Sequence, residues 1–319
     1  MSEYVQYALL DIYPDEELPG DVYLFVNNHH LKYKPRNDVI SKAKYEEFVK
    51  RQVTFVYILK SEESLFAKWS EGLKQTKKQE IISRIGPENS DLADAYFSTR
   101  STLMEFVTKE VSNQTVKAIL DRTRNVISVI QSKKTADKLI GKMFLYGQGL
   151  ADHGMNVASL STYLAINIGY EQHALLETIY TGGLLHDFGK TRIDKRYLED
   201  INSPEYETAM KKHPTLGKTS LIVDNGLSDE VLRIVVEHHE NVDGTGHPRG
   251  LNGSRIYELT KIVSIANAFD NLVQKDDGPI SIAEKQKKAI KRLELEVKSG
   301  KIFDTRILSK SLKALDLIL

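Results

Sequence analysis

The chain contains no cysteine. That absence excludes disulfides, thiolate nucleophiles and Cys-ligated zinc or iron–sulfur sites together, so a bound metal would have to be held by imidazole, carboxylate or carbonyl groups. Net charge is absent too. The 44 Lys and Arg balance 44 Asp and Glu, and no long-range field draws the protein to a nucleic acid polymer or an anionic lipid surface. Long apolar runs are also missing: a bilayer span needs about 20 such residues, and no run approaches that length. The opening MSEYVQYALLDIY has no basic segment followed by an apolar core, which is not a signal-peptide pattern. The expectation is a soluble, cytoplasmic protein without membrane insertion. What remains is ordinary: 319 residues, 41% hydrophobic and 28% charged, enough for about two domains with real cores.

Residues 1–76 read as a small α/β unit. Asp21–Asn27 and Gln52–Leu59 are β-branched and aromatic runs bounded by polar residues, His30–Tyr33 suggests a third strand, and Ser41–Arg51 is helical in character. Residues 77–135 lack proline after Pro87 and repeat apolar residues at helical spacing (Leu103, Phe106, Val107, Val111), so they read as a helical connector. From 136 to 319 one helix follows another. Val157, Leu160 and Leu164 stripe a helix over about 151–168 closed by Gly169; Ser228 is set to cap another; Leu259 to Val273 marks a third. The fold class expected is mainly α, an all-helical domain preceded by a small α/β domain.

Nine histidines are present, and six fall on or beside apolar helical stripes in the C-terminal part. His153 is four residues before Val157, His186 follows Leu184 and Leu185 and precedes Asp187, and His238 continues the line of Val231 and Val235. A single buried histidine is more often a hydrogen-bonded core residue than a ligand. His173 and the His29–His30 pair take that reading. The others come as a set, and buried imidazoles beside an aspartate are costly unless something pairs them. A metal would do so, since neutral imidazole suits first-row transition ions and a carboxylate can bridge two of them.

LLHDFGK (184–190) resembles the HDxGK core of HD-domain phosphohydrolases, and HHENVDGTGHPRGL (238–251) resembles the longer and more specific HHExxDGxGYPxGL signature of the HD-GYP subfamily. His213-Pro214 with Gly217, SIANAFDNL, and SGKIFDTRIL are similar to further segments of that family, so the resemblance covers about 136–319. It implies an all-helical domain that holds two divalent metal ions, iron first and manganese next, and hydrolyses cyclic di-GMP to linear pGpG. By the same resemblance the ligands are His153, His186, Asp187, His213, His238, His239 and Asn267, with Asp187 the bridge. Lys190 and Asp187 are the catalytic pair, the lysine stabilising charge on the non-bridging phosphate oxygens. Lys190, Gly246, His247 and Arg249 would meet the substrate.

The sequence departs from the family at four places. His247 replaces the GYP tyrosine, which weakens stacking on a nucleotide. Asn267 replaces an aspartate, which removes charge from one metal. Gly149 stands where an acidic residue could hold a third ion, and Asp276–Pro279 (DDGP) replaces a basic segment and repels phosphate. The metal cage is nearly whole while the substrate contacts are degraded. That implies slow hydrolysis of cyclic di-GMP, or, as alternatives, a weakly active or inactive signalling module that binds cyclic di-GMP or a GGDEF-domain partner protein, or a general nucleotide phosphohydrolase.

Overall fold

The computed structural model describes residues 3–108, 110–133, 139, 150–222, 226–275 and 280–318. Within them the protein is mainly α, with twelve helices and one small antiparallel sheet near the N-terminus. Gly149 and the DDGP segment lie outside the described residues.

The sheet has the order β1-β4-β2-β3, formed by β1 (Tyr4–Ala8), β2 (Val22–Val26), β3 (His29–Lys34) and β4 (Phe55–Leu59). Three of these strands coincide with the runs expected from sequence. β1 was not expected. β2 and β3 form a hairpin across Asn27 and Asn28, both at positive φ, the backbone that a two-residue turn needs and that asparagine tolerates. Helix α1 (Lys42–Lys50) begins at Ser41, whose side chain accepts from the Lys44 amide. Its Tyr45 and Phe48 pack with Val22, Val56, Ile58 and Phe66 into one buried cluster. Phe66 already belongs to α2 (Glu63–Ile85), a continuous helix of 23 residues, so the expected division at 76 falls inside it.

Helices α3 (Ser90–Thr108) and α4 (Asn113–Ser132) follow, then α5 (Leu150–Ile168), α6 (His173–Leu185), α7 (Pro204–Met210), α8 (His213–Leu221), α9 (Asp229–Glu237), α10 (Glu258–Lys275), α11 (Ile282–Ser299) and α12 (Thr305–Asp316). α5 stops where expected, the Gly169 amide returning to Ala165 O with φ at 111°. The Ser228 hydroxyl accepts from the Val231 amide and starts α9. Residues from Ile81 to Ile130 share one buried cluster with residues from Met155 to Leu315, so the helices before and after 139 bury their apolar faces against each other. α5 and α6 lie at the centre of this cluster. Their inward-facing polar residues, among them His153, Asn156 and Thr181, are enclosed by it, and that positions the site.

Candidate metal centre

Three histidines occupy equivalent places at the ends of helices. His186 caps α6, His238 caps α9, and His213 opens α8 just beyond the end of α7. The last carbonyls of a helix have no amide partner within it, and each ring turns back onto one of them. Nδ1 of His186 meets Gly183 O at 2.7 Å, Nδ1 of His213 meets Met210 O at 2.6 Å, and Nδ1 of His238 meets Val235 O at 2.8 Å. A carbonyl only accepts, so Nδ1 carries the proton in all three rings and Nε2 is a bare lone pair when the ring is neutral. His153, inside α5, is fixed in the same sense from α10: its Nδ1 lies 2.6 Å from Asp270 Oδ2, while Asn156 Nδ2 donates to Asp270 Oδ1 at 3.0 Å.

The four Nε2 atoms converge on Asp187. His153 and His186 each lie 3.5 Å from its Oδ2; His213 lies 3.1 Å and His238 3.7 Å from its Oδ1. Despite that proximity Oδ1 is buried and accepts no hydrogen bond. The Nε2 atoms also face each other in pairs, His153 with His186 and His213 with His238, at 3.2 Å in both cases. Lone pair against lone pair, beside a carboxylate, is repulsive as it stands. Cations resolve it. His153, His186 and Asp187 form one group whose donor atoms lie within 4.8 Å of one another, and Asp187, His213, His238 and His239 form a second. Both have the chemistry of metal sites, and Asp187 offers one oxygen to each.

Electrostatics agrees with that donor set. Burial holds the His186 ring well below the usual histidine range, lowers His238 to about 4, and lowers His239 as well, so these rings stay neutral and able to donate to a metal. Burial on its own would raise the Asp187 carboxyl, but the Lys190 ammonium beside it favours the charged form and the carboxyl is held well below the usual carboxylate range. Lys190 Nζ sits 2.5 Å from Asp187 Oδ2 with about a third of its side chain exposed (34%).

The glycine of HDxGK has a steric cause. Gly189 lies in a 3-10 turn, Phe188–Arg192, against the start of α8, and a Cβ there would fall 1.9 Å from His213 O and 2.5 Å from Gly217 N. Gly189→Ala must therefore push the turn and His213 apart. We expect a loss of about 1–3 kcal/mol, read as a lower melting temperature, together with weakened metal retention. Gly72→Ala in α2, where a Cβ meets nothing within 4 Å, serves as a control and should be neutral or slightly stabilising.

The remaining residues expected at the site separate. His247 stacks on His239, ring centroids 4.8 Å apart at 20°, and its amide donates to His239 O at 3.1 Å. Gly246 lets the loop pass close to the end of α9, since a Cβ would lie 2.2 Å from the Asn241 amide. Arg249 is directed elsewhere: Nη2 donates to the buried Glu237 carboxylate at 2.6 Å. Glu237 also accepts from the Tyr257 amide, and buried Glu240 accepts from the amides of Arg249 and Leu251, so these two acids hold the loop in place. Asn267 is buried on α10, with its oxygen accepting from Asn271 Nδ2 at 2.7 Å. Glu237, Glu240 and Asp270 are not among the site residues expected from sequence. The signal available was a run of acids flanking the histidine pair and one helical turn beyond Asn267.

A model of the HD domain family matches residues 123–307. Over 125 residues the chain is 34% identical to 3'3'-cGAMP-specific phosphodiesterase 1 of Vibrio cholerae serotype O1, covering 38% of this chain and 28% of that protein. Over 164 residues it is 32% identical to the cyclic di-GMP phosphodiesterase of Thermotoga maritima, covering 50% of this chain and 43% of that protein. The chain thus spans less than half the length of these curated relatives. Among solved structures, Bd1817, a HDG"Y"P protein from Bdellovibrio bacteriovorus, superposes with a TM-score of 0.63 at 21% identity over 98% of this chain and 99% of that one, which establishes a shared fold. No described helix is long and apolar enough to cross a membrane. With the family model spanning more than half of its residues and the imidazole–aspartate cluster at its centre, the chain belongs to the HD-domain family.

Proposed function

We propose that the protein is a metal-dependent phosphodiesterase of the HD-GYP type that opens cyclic di-GMP to linear pGpG. The observation that carries this reading is the set of unprotonated Nε2 atoms around both oxygens of one buried carboxylate. His153 and His186 would hold one divalent cation, and His213, His238 and His239 the other. Asp187 would be shared between them, and Asn267 would supply a neutral oxygen at most. Iron suits this all-nitrogen-and-oxygen set first, manganese next. When bound, such a pair lowers the pKa of a water and neutralises charge on a phosphate. The chain's own part is to hold the imidazoles in one tautomer through three helix-end carbonyls and Asp270, to exclude water beneath the cage, and to present the Lys190 ammonium to the phosphate oxygens.

The relatives' names point to two cyclic dinucleotides, so cyclic di-GMP and 3'3'-cGAMP belong in the same assay. Full-length protein loaded anaerobically with iron(II), or with manganese, should release pGpG from cyclic di-GMP. Lys190→Ala should keep its metals and lose about a hundredfold in kcat, as expected when one charge-stabilising donor is removed. A protein with two metals per chain that leaves both dinucleotides intact would contradict the proposal. A second reading follows from His247 standing where the family has a tyrosine: a signalling loop that contacts a partner protein such as a GGDEF-type cyclase. Partner binding that survives metal removal would support it.

A further inference from the structure

A side chain of the N-terminal α/β unit, Gln52, reaches the turn that carries Lys190. α1 ends at Lys50, and the chain reverses through Arg51 and Gln52, the Gln52 amide returning to Val49 O and the Val53 amide to Phe48 O, both at 2.9 Å. Gln52 takes φ of 52°, in the left-handed region that glycine enters freely and glutamine rarely does. Its side chain crosses to the helical domain, where Nε2 donates to Lys190 O at 2.6 Å and to Ile193 O at 3.0 Å. Both amide hydrogens are used, and the two acceptors lie at the middle and just past the end of the turn Phe188–Arg192. That turn starts immediately after Asp187, and within it the Lys190 amide returns to Asp187 O at 2.9 Å.

We infer that Gln52 is a positioning residue that clamps this turn from the N-terminal unit and so aims the Lys190 ammonium at the Asp187 side of the site. The inference rests on the role proposed above for Lys190. It makes the N-terminal unit part of the catalytic apparatus, because any movement of the α1–β4 turn is transmitted to the lysine's backbone. The two parts also share a cleft. Ile12, Tyr13 and Tyr45 of the N-terminal unit line a cleft with Arg100 and Asp152, and Arg100 Nη2 bonds Asp152 Oδ2 at 3.2 Å, directly before His153 on α5. The α/β unit is therefore bonded to the lysine turn and faces the start of α5 across this cleft.

Backbone strain separates positioning from folding. Gln52→Gly suits the left-handed backbone better and deletes the clamp. Gln52→Glu keeps the size but sets carboxylate oxygens against two carbonyls. In the full-length protein with metal bound, hydrogen exchange of amides 188–193 should quicken about tenfold in Gln52→Gly, the weight of two ordinary hydrogen bonds, and more in Gln52→Glu. The melting temperature of Gln52→Gly should not fall, and metal content should not change in either variant. With cyclic di-GMP, kcat should fall about tenfold while KM stays within about twofold, since the lysine acts on the developing charge. Unchanged exchange in both variants overturns the inference whatever the activity. Faster exchange with unchanged kcat overturns it too, leaving Gln52 a brace. If the wild-type protein hydrolyses nothing, the reading of the reaction fails, and the exchange measurement still decides whether the clamp exists.

Discussion

Asp187→Asn is expected to strip the protein of both metals and of hydrolysis while leaving the metal-free fold nearly as stable as before. The carboxylate is buried at 3% exposure, with His153 and His186 on one oxygen and His213 and His238 on the other. Their Nε2 atoms carry no proton, and Oδ1 receives no hydrogen bond. In the absence of cations this is a buried anion among lone pairs with one cationic neighbour, Lys190, whose side chain is a third exposed and can turn to water once the charge is gone, so a neutral group of the same shape should cost little. An asparagine amide can donate to the imidazoles. It brings no charge to share between two ions, so metal content should fall from two per chain to near zero. Hydrolysis should fall at least about a thousandfold, or about 4 kcal/mol of transition-state stabilisation at 1.36 kcal/mol per factor of ten. Metal analysis, turnover and melting of the metal-free proteins check the three parts. A variant that keeps its metals, or whose metal-free form is markedly less stable than wild type, would show that Asp187 is a structural anion rather than a shared ligand.

Metal-free protein should lose stability as pH falls from about 6.5 towards 4. The sign follows from burial. His186 and His238 have folded-state pKa values below the ordinary histidine value of 6.5, His238 at about 4, because burial disfavours the charged ring. Between those values the unfolded chain binds protons that the folded chain refuses, so stability rises with pH through this window and is lost as pH drops. The contribution of His238 alone is on the order of 3 kcal/mol, by 1.36 kcal/mol per pKa unit. His186 and His239 shift in the same direction, so the combined loss should be large. Metal opposes the loss, since protons and cations compete for the same lone pairs. Denaturant unfolding at pH 7.5, 6.0 and 5.0, with metal removed and with metal in excess, should show a steep decline in the first series and a shallower one in the second. A flat metal-free series would mean that the imidazoles are less desolvated than the structure shows.

Residue types and spacing made much of this legible, and packing decided the rest. The HD and HH pairs could be read as ligands because imidazoles in line with apolar stripes have no reason to be buried singly. Their tautomer was not legible, because it depends on each ring reaching a helix-end carbonyl three residues back. On α10 the sequence drew attention to Asn267, but Asp270, one turn later, meets His153; residues three apart share a helix face, and only the placement of α5 against it selects between them. Arg249 has the chemistry of a phosphate contact, and a buried acid nine places away in the sequence (Glu240) and another twelve away (Glu237) hold it and its loop instead. β1 escaped notice because YVQYA is a short strand, none of whose residues is fully buried, so it has no clear alternation. α2 runs through the expected division at 76 because nothing breaks it before Gly86 and Pro87.

Metal stoichiometry is the most direct test of the central claim. Full-length protein, purified anaerobically and loaded with iron(II) or manganese, should bind two ions per chain, and His213→Ala and His153→Ala should each weaken a different one of the two. A protein that takes up no transition metal under these conditions, or takes up ions that neither substitution displaces, would contradict the account.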